Sequence, residues 1–283
     1  MSVIVKDDLS LEDFYKIVFK ENKVELDPKF IERVENSFDF LKEFSANKVI
    51  YGVNTGFGPM AQYKIDEKDT IQLQYNLIRS HSSGTSNPLT TKYVKAAMLA
   101  RLNTLGLGNS GLHSSVVKLM RDLLNQDVIP LIFEHGGVGA SGDLVQLAHL
   151  ALVLIGEGEV FYKGERRATE DVFSELGLDP IKVKLREGLG LMNGTSVMTG
   201  IGIVNTIYTK RLLDWSIKCS SAINEIVEAY DDHLSIELNT SKRHKGQIEI
   251  ARLMREHLAD SSLVRNRDEH LYSGNNTETV FKE

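Results

Sequence analysis

The residues best suited to unusual chemistry are Ala140, Ser141 and Gly142, inside the stretch Gly136-Gly137-Val138-Gly139-Ala140-Ser141-Gly142-Asp143-Leu144. Four glycines in seven residues call for backbone turns that side chains would block. An apolar run, Ile129-Pro130-Leu131-Ile132-Phe133, leads in, and a helical pattern from Leu144 to Ile155 leads out. Three readings fit. A purely structural turn would use Asp143 as a helix N-cap. A phosphate cradle would use Gly137, Gly139 and Gly142, which have G-x-G-x-x-G spacing ahead of a helix, although Pro130 sits badly in the strand that motif needs. The third reading is self-modification. The Gly142 nitrogen attacks the Ala140 carbonyl carbon, and loss of two waters, one carrying the Ser141 hydroxyl oxygen, leaves a methylidene-imidazolone ring. Glycine has the least hindered amide, alanine adds no bulk, and serine supplies the leaving oxygen. The product is an electrophile that no ordinary side chain provides.

Three further segments carry chemistry-bearing side chains. Tyr51-Gly52-Val53-Asn54-Thr55-Gly56-Phe57-Gly58 is a glycine loop that presents a phenol and lets the backbone approach a ligand. A free phenol titrates far above neutral, so a tyrosine base needs a helix N-terminus or a cation nearby. Leu73-Gln74-Tyr75-Asn76-Leu77 runs on to Ser80-His81, and Asn193-Gly194-Thr195 precedes a long apolar pattern. By residue type alone, Tyr51 reads as a half-buried structural tyrosine, His81 as a structural histidine, and Asn193-Gly194-Thr195 as a loop with a helix cap.

These four segments, in this order, resemble the signatures of the aromatic amino acid ammonia-lyases, which include the histidine, phenylalanine and tyrosine lyases and the related aminomutases. The resemblance spans most of the chain. It implies a mainly α, fumarase/aspartase-like fold. Residues 1–194 would be a mixed N-terminal active-site domain, and 195–283 the first long helices of a central helical bundle. It implies 4-methylidene-imidazole-5-one (MIO), built from Ala140, Ser141 and Gly142, as prosthetic group, with no metal and no nucleotide. Tyr51 is then the proton-transfer residue, Asn193 contacts the ring or the substrate carboxylate, and Gly58 helps to position them. Asp143 acts in ring formation or as the cap that orients the turn. His81 lines the pocket that selects the substrate side chain.

The reaction implied is non-oxidative elimination of ammonia, from L-histidine to urocanate or from L-tyrosine to p-coumarate. Ser80-His81 matches the histidine-lyase pattern, whereas the run Asn76 to Gly84 resembles tyrosine lyases of flexirubin-type pigment pathways. An imidazole can hydrogen-bond either side chain. Lyase and aminomutase share the ring. The family assembles as homotetramers whose active sites draw on more than one subunit, and places a second catalytic tyrosine and the carboxylate-binding residues in the C-terminal half. The match covers only an N-terminal half, so the chain is expected to be a fragment or to need a second chain. Two alternatives differ in class: a nucleotide-binding module on the glycine-rich turn, and a catalytically incomplete fragment that acts only with a partner chain.

The 283 residues are 42% apolar and 25% charged, ordinary for a globular chain able to bury a sizeable core. A net charge of -6 gives no sign of a nucleic-acid surface, and the basic run Lys242-Arg243-His244-Lys245 reads as a solvated face. The lone cysteine, Cys219, excludes an internal disulfide and suits a reducing cytoplasm. Met1 to Lys6 reads as no secretory signal, and no apolar run is long enough to span a bilayer. His244, His257 and His270 form no metal-ligand spacing.

The elements that must position these residues are legible in outline. Ser10 with Asp13 and Asp27 with Pro28 signal two helix starts. Val49 to Tyr51 reads as a short strand. Asp69 to Ile78, Lys92 to Leu105 and Ser115 to Asn125 read as helices, with a break at Asn109-Ser110-Gly111. The helix from Leu144 is apolar nearly all round and so is buried, aiming its N-terminal partial positive charge at residues 140–142, with His149 a core histidine. Val160 to Glu165 starts a hairpin turning at Lys163-Gly164. Residues 196–230 lack proline and predict one long helix of a bundle, followed by a helix from Lys245 to Leu258 and a polar loop over 268–279.

Overall fold

The structure, a computed structural model, describes residues 1–266; the polar loop expected at 268–279, and His270, lie outside them. Residues Met1–Ile207 form one compact unit and those from Tyr208 onward another.

The first unit begins with β1 (Ser2–Val5), α1 (Leu11–Lys20) and β2 (Lys23–Leu26), the two strands pairing in parallel. Ser10 and Asp13 form the expected capping box. Asp27 accepts the Lys29 N–H ahead of α2 (Pro28–Ser45), whose proline sits where its missing N–H costs nothing. Next come α3 (Glu67–His81), β3 (Thr85–Pro88), α4 (Thr91–Gly106) and α5 (Ser114–Gln126). α4 forms the middle of the core, with Val94, Met98, Leu99, Leu102 and Leu105 all buried.

The expected strand at Val49 to Tyr51 is absent. Asn54 Oδ1 accepts the Ile50 N–H, and the Asn54 and Val53 N–H groups both return to the Ile50 carbonyl. The local turn therefore takes the backbone groups that a strand would have paired outward.

β4 (Ile129–Pro130) and β5 (Phe133–His135) precede the glycine-rich turn, and α6 (Leu144–Leu154) follows it. β5 pairs antiparallel with β3. β4 pairs antiparallel with β6 (Glu159–Tyr162), which forms the expected hairpin with β7 (Glu165–Ala168). Lys163 and Gly164 take positive φ at its tip, as a two-residue hairpin turn requires. Pro130 is tolerated because β4 is an edge strand. The strands on either side of α6 thus belong to different, antiparallel sheets. The β-α-β unit that a dinucleotide-binding turn needs is not formed there.

α6 is buried as its composition predicts, with Leu147, Leu150, Ala151, Val153 and Leu154 inside. α7 (Thr169–Leu176) and α8 (Glu187–Met192) follow, and α8 runs into Asn193 and the start of α9 (Ser196–Ile226), a 31-residue helix. The boundary between the compact units falls inside α9, between Ile207 and Tyr208. The second unit adds α10 (Ile236–Ser241) and α11 (Lys245–Leu258) around a small core of Ile217, Leu234 and Met254. Leu212, Trp215 and Ile226 on α9 are exposed. No helix among the described residues is long and apolar enough to cross a membrane.

The junction of α2 and α4 gives a test of the core. A β-carbon on Gly106 would overlap the ring of Phe30, which is fully buried and has nowhere to go. Gly106→Ala is expected to lower the unfolding free energy by about 1–3 kcal/mol, read from urea denaturation.

Candidate active site

The turn between β5 and α6 folds back on itself through bridges from Gly139 and Ala140 to Gly142. Gly139 and Gly142 have φ of 81° and 84°, values that side chains resist. Gly142 is constrained from outside as well. A β-carbon there would overlap the Gly194 carbonyl oxygen, and the Asp143 N–H donates to that same oxygen at 2.7 Å. The turn is therefore docked on the segment that follows α8. Ala140 and Ser141 remain exposed, and Val138 is 91% exposed.

Asp143 occupies the N-cap position of α6 but does not cap that helix with its side chain. Its carboxylate instead reaches across and accepts the N–H groups of Val197 and Met198, both at 2.9 Å. It thus satisfies the first turn of α9, where the sequence suggested a cap from the loop Asn193-Gly194-Thr195. One carboxylate joins the starts of two helices, where their partial positive charges favour it.

Asn193 terminates α8, and its Nδ2 points to the Ser141 carbonyl at 3.4 Å. Asp143, Ser141 and Asn193, three of the expected site residues, therefore lie together. Tyr51 is half-exposed, its Oη accepting the Gly58 N–H at 3.3 Å and its ring packing edge-on against Phe57. Gly58 has φ of 53° and open space where a side chain would go. His81 ends α3, with Nδ1 2.9 Å from the Leu77 carbonyl and 3.2 Å from Ser80 Oγ. A carbonyl can only accept, so Nδ1 carries the proton and Nε2 of the neutral ring is left as an acceptor.

Tyr51 and His81 are joined to the turn through α3. Gln74 is fully buried. Its Nε2 donates to the Gly52 carbonyl at 3.1 Å and its Oε1 accepts the Leu189 N–H at 3.3 Å. One carboxamide thus ties the Tyr51 loop to α8, and through α8 to Asn193. His149 on α6 is the core histidine expected, Nε2 accepting the Gly84 N–H at 3.0 Å beside the ring of Phe133. Burial holds its pKa below the usual histidine value, which keeps that acceptor free.

Sequence reasoning missed Gln74, Arg101 and Glu187 as parts of this framework. For Arg101 the available signal was a charged side chain inside an otherwise apolar helical run. Glu187 is completely buried at the start of α8 and accepts the N–H groups of His113 and Lys184 at 2.8 and 2.7 Å. Burial pushes its pKa up to about 7, against those two hydrogen bonds and the charge of Lys184. Among the described residues no three His, Cys, Asp or Glu side chains gather as metal ligands would.

Comparison with known proteins gives consistent matches. Residues 9–277 match the aromatic amino acid lyase family. A probable histidine ammonia-lyase of Thermoplasma volcanium is 39% identical over 93% of this chain and 53% of its own length. Among solved structures, phenylalanine aminomutase of Pantoea agglomerans superposes with a TM-score of 0.89 at 32% identity, over 96% of this chain and 53% of that one. Tyrosine aminomutase of Streptomyces globisporus gives 0.91 at 30% identity, over 96% and 52%. The fold is that of the fumarase/aspartase-like lyases, and the chain spans about half the length of the curated relatives it matches.

Two substitutions test this framework. Asp143→Ala removes the acceptor of two α9 N–H groups and is expected to cost about 1–2 kcal/mol in urea denaturation. For Glu187 the folded pKa lies above the ordinary carboxylate value of 4.5, so the folded chain binds the proton more tightly than the unfolded one. Its contribution is present below pH 4.5 and is lost as pH rises to about 7. Glu187→Gln should remove a stability decline on the order of 1–3 kcal/mol across that window, measured as unfolding free energy against pH.

Proposed function

Because the chain belongs to the aromatic amino acid lyase family, we propose that it carries the electrophile-bearing part of an ammonia-lyase active site that acts on L-histidine. The observation that carries this reading is the docking of Gly142 on Gly194, with Asn193 Nδ2 on the Ser141 carbonyl. The residues present fit the MIO group. Residue 142 must lack a β-carbon, Ala140 brings no bulk, and the exposed Ser141 hydroxyl is free to leave as water.

Elimination is difficult because ammonium is a poor leaving group and the substrate's β-proton is weakly acidic. When formed, the group supplies an electrophilic carbon for the substrate's amine. The protein's own residues do the rest. The N-terminus of α6 sets its partial positive charge beside residues 140–142, favouring negative charge that develops there. Asn193 Nδ2 holds the Ser141 carbonyl in place. Tyr51 Oη, oriented by the Gly58 N–H, takes the proton leaving the β-carbon as the C–N bond breaks, giving an α,β-unsaturated acid and ammonia. His81 Nε2 accepts a hydrogen bond from the substrate side chain.

The similar proteins named as histidine ammonia-lyases favour histidine. L-tyrosine is the second reading, favoured by the run Asn76 to Gly84 and by a solved neighbour named as a tyrosine aminomutase. A cytoplasmic homotetramer assembled over exposed α9 side chains such as Leu212 and Trp215 is the assembly this reading expects.

The test is peptide mass followed by turnover. The peptide containing residues 140–142 is expected to be two waters light, and that of Ser141→Ala to lack the deficit. With the C-terminal half supplied, urocanate should form from L-histidine faster than p-coumarate from L-tyrosine. A peptide of full mass in the parent chain would overturn the reading. The opposite substrate order would assign tyrosine, and a β-amino acid product would make the enzyme an aminomutase.

A further inference from the structure

Arg101 lies in the middle of α4, between Ala100 and Leu102, and is 3% exposed. Burial lowers its pKa to about 10, so it still carries its charge at neutral pH. A buried guanidinium costs several kcal/mol unless strong partners offset it. The partners here are backbone carbonyls. Nη2 donates to the Asn193 carbonyl at 3.1 Å and also to that of Gly190, whereas Nε has no hydrogen-bond partner. Asp143 supplies the opposing charge without an ion pair. The position is therefore an expensive way to fill a core, and hydrophobic packing alone does not explain it.

The geometry around Gly194 explains what it does. A β-carbon on Gly194 would overlap Arg101 Nη1, and a β-carbon on Gly142 would overlap the Gly194 carbonyl oxygen. Two glycines in succession thus leave a single peptide between the guanidinium and the turn. That peptide carries the oxygen that receives the Asp143 N–H. Its neighbour, Asn193, has its carbonyl held by Arg101 and its side chain directed at Ser141.

We propose that Arg101 is a positioning residue that fixes the Asn193 and Gly194 peptides so that the turn at residues 140–142 closes against them. The claim rests on the proposed function for its chemical consequence, the rate of ring closure. Its structural content, the clasp itself, stands separately. The step it assists is balanced within the chain: the Gly142 nitrogen bonds to the Ala140 carbonyl carbon, that carbonyl oxygen leaves as one water with the hydrogens of the Gly142 and Ser141 amide nitrogens, and the Ser141 hydroxyl with its α-hydrogen leaves as the other.

The experiment compares the parent chain with Arg101→Met, which removes the charge, and Arg101→Lys, which keeps it but cannot reach both carbonyls. Two readouts are taken: amide hydrogen exchange at Asp143, and the rate at which the peptide containing residues 140–142 loses two waters. Each variant is expected to exchange the Asp143 amide roughly tenfold faster or more, as loss of a charge-assisted hydrogen bond implies, with the amides of α1 unchanged. Dehydration should slow by a similar factor. Parent-like exchange and parent-like dehydration would overturn the proposal. If the parent itself never dehydrates, the proposed function fails, and the exchange comparison still decides the clasp. Should neither variant fold, guanidinium rotation in the parent decides it by nitrogen-15 NMR: slow rotation of Arg101 supports the clasp, and free rotation overturns it.

Discussion

The site depends on one close approach, the Gly194 peptide lying where a β-carbon of residue 142 would be. The Asp143 N–H bond to the Gly194 carbonyl holds the two segments at that distance, and both glycines are required for it. A side chain at Gly142 would drive apart the turn before α6 and the segment after α8, and one at Gly194 would strike the Arg101 guanidinium. Separating them would move Asn193 away from Ser141 and release Asp143 from the first turn of α9. The helices are rigid and buried, so their ends set where the turn can sit.

Polar groups inside the core carry out this positioning. Gln74 joins the Tyr51 loop to α8, Glu187 fixes the start of α8 to the start of α5, and Arg101 holds its end. Each is paired with backbone groups, which do not move unless their helices do. A buried polar group left without its partner costs more than the pair contributes, so the arrangement tolerates little slack. Exposure follows the opposite pattern. Ala140, Ser141 and Tyr51, the groups that would meet a substrate, face outward.

Much of this was readable from residue types. The glycine density of 136–142 announced a turn that side chains could not make, and the apolar perimeter of α6 announced a buried helix behind it. Ser10, Asp27 and Lys163-Gly164 marked their caps and turn through strictly local hydrogen bonds and dihedrals. What was not legible depends on partners far away in the chain. Asp143 looked like the cap of the helix it precedes, and its carboxylate caps one that begins at Ser196 instead. Val49 to Tyr51 had strand composition, but the Asn54 side chain closed a turn over it. Arg101 gave only the sign of a charge among apolar residues, and nothing in the neighbourhoods of Gln74, Arg101 and Glu187 named the backbone groups they would hold. The family resemblance named residues expected to react but not the framework behind them.

Under the proposed function, this framework compresses Ala140, Ser141 and Gly142 until they cyclise. The most direct measurement is a crystallographic electron-density map of the turn at atomic resolution. Continuous density is expected to join the Gly142 nitrogen to the former Ala140 carbonyl carbon, in a flat five-membered ring that has lost the Ser141 hydroxyl. An open peptide with that hydroxyl in place would contradict it.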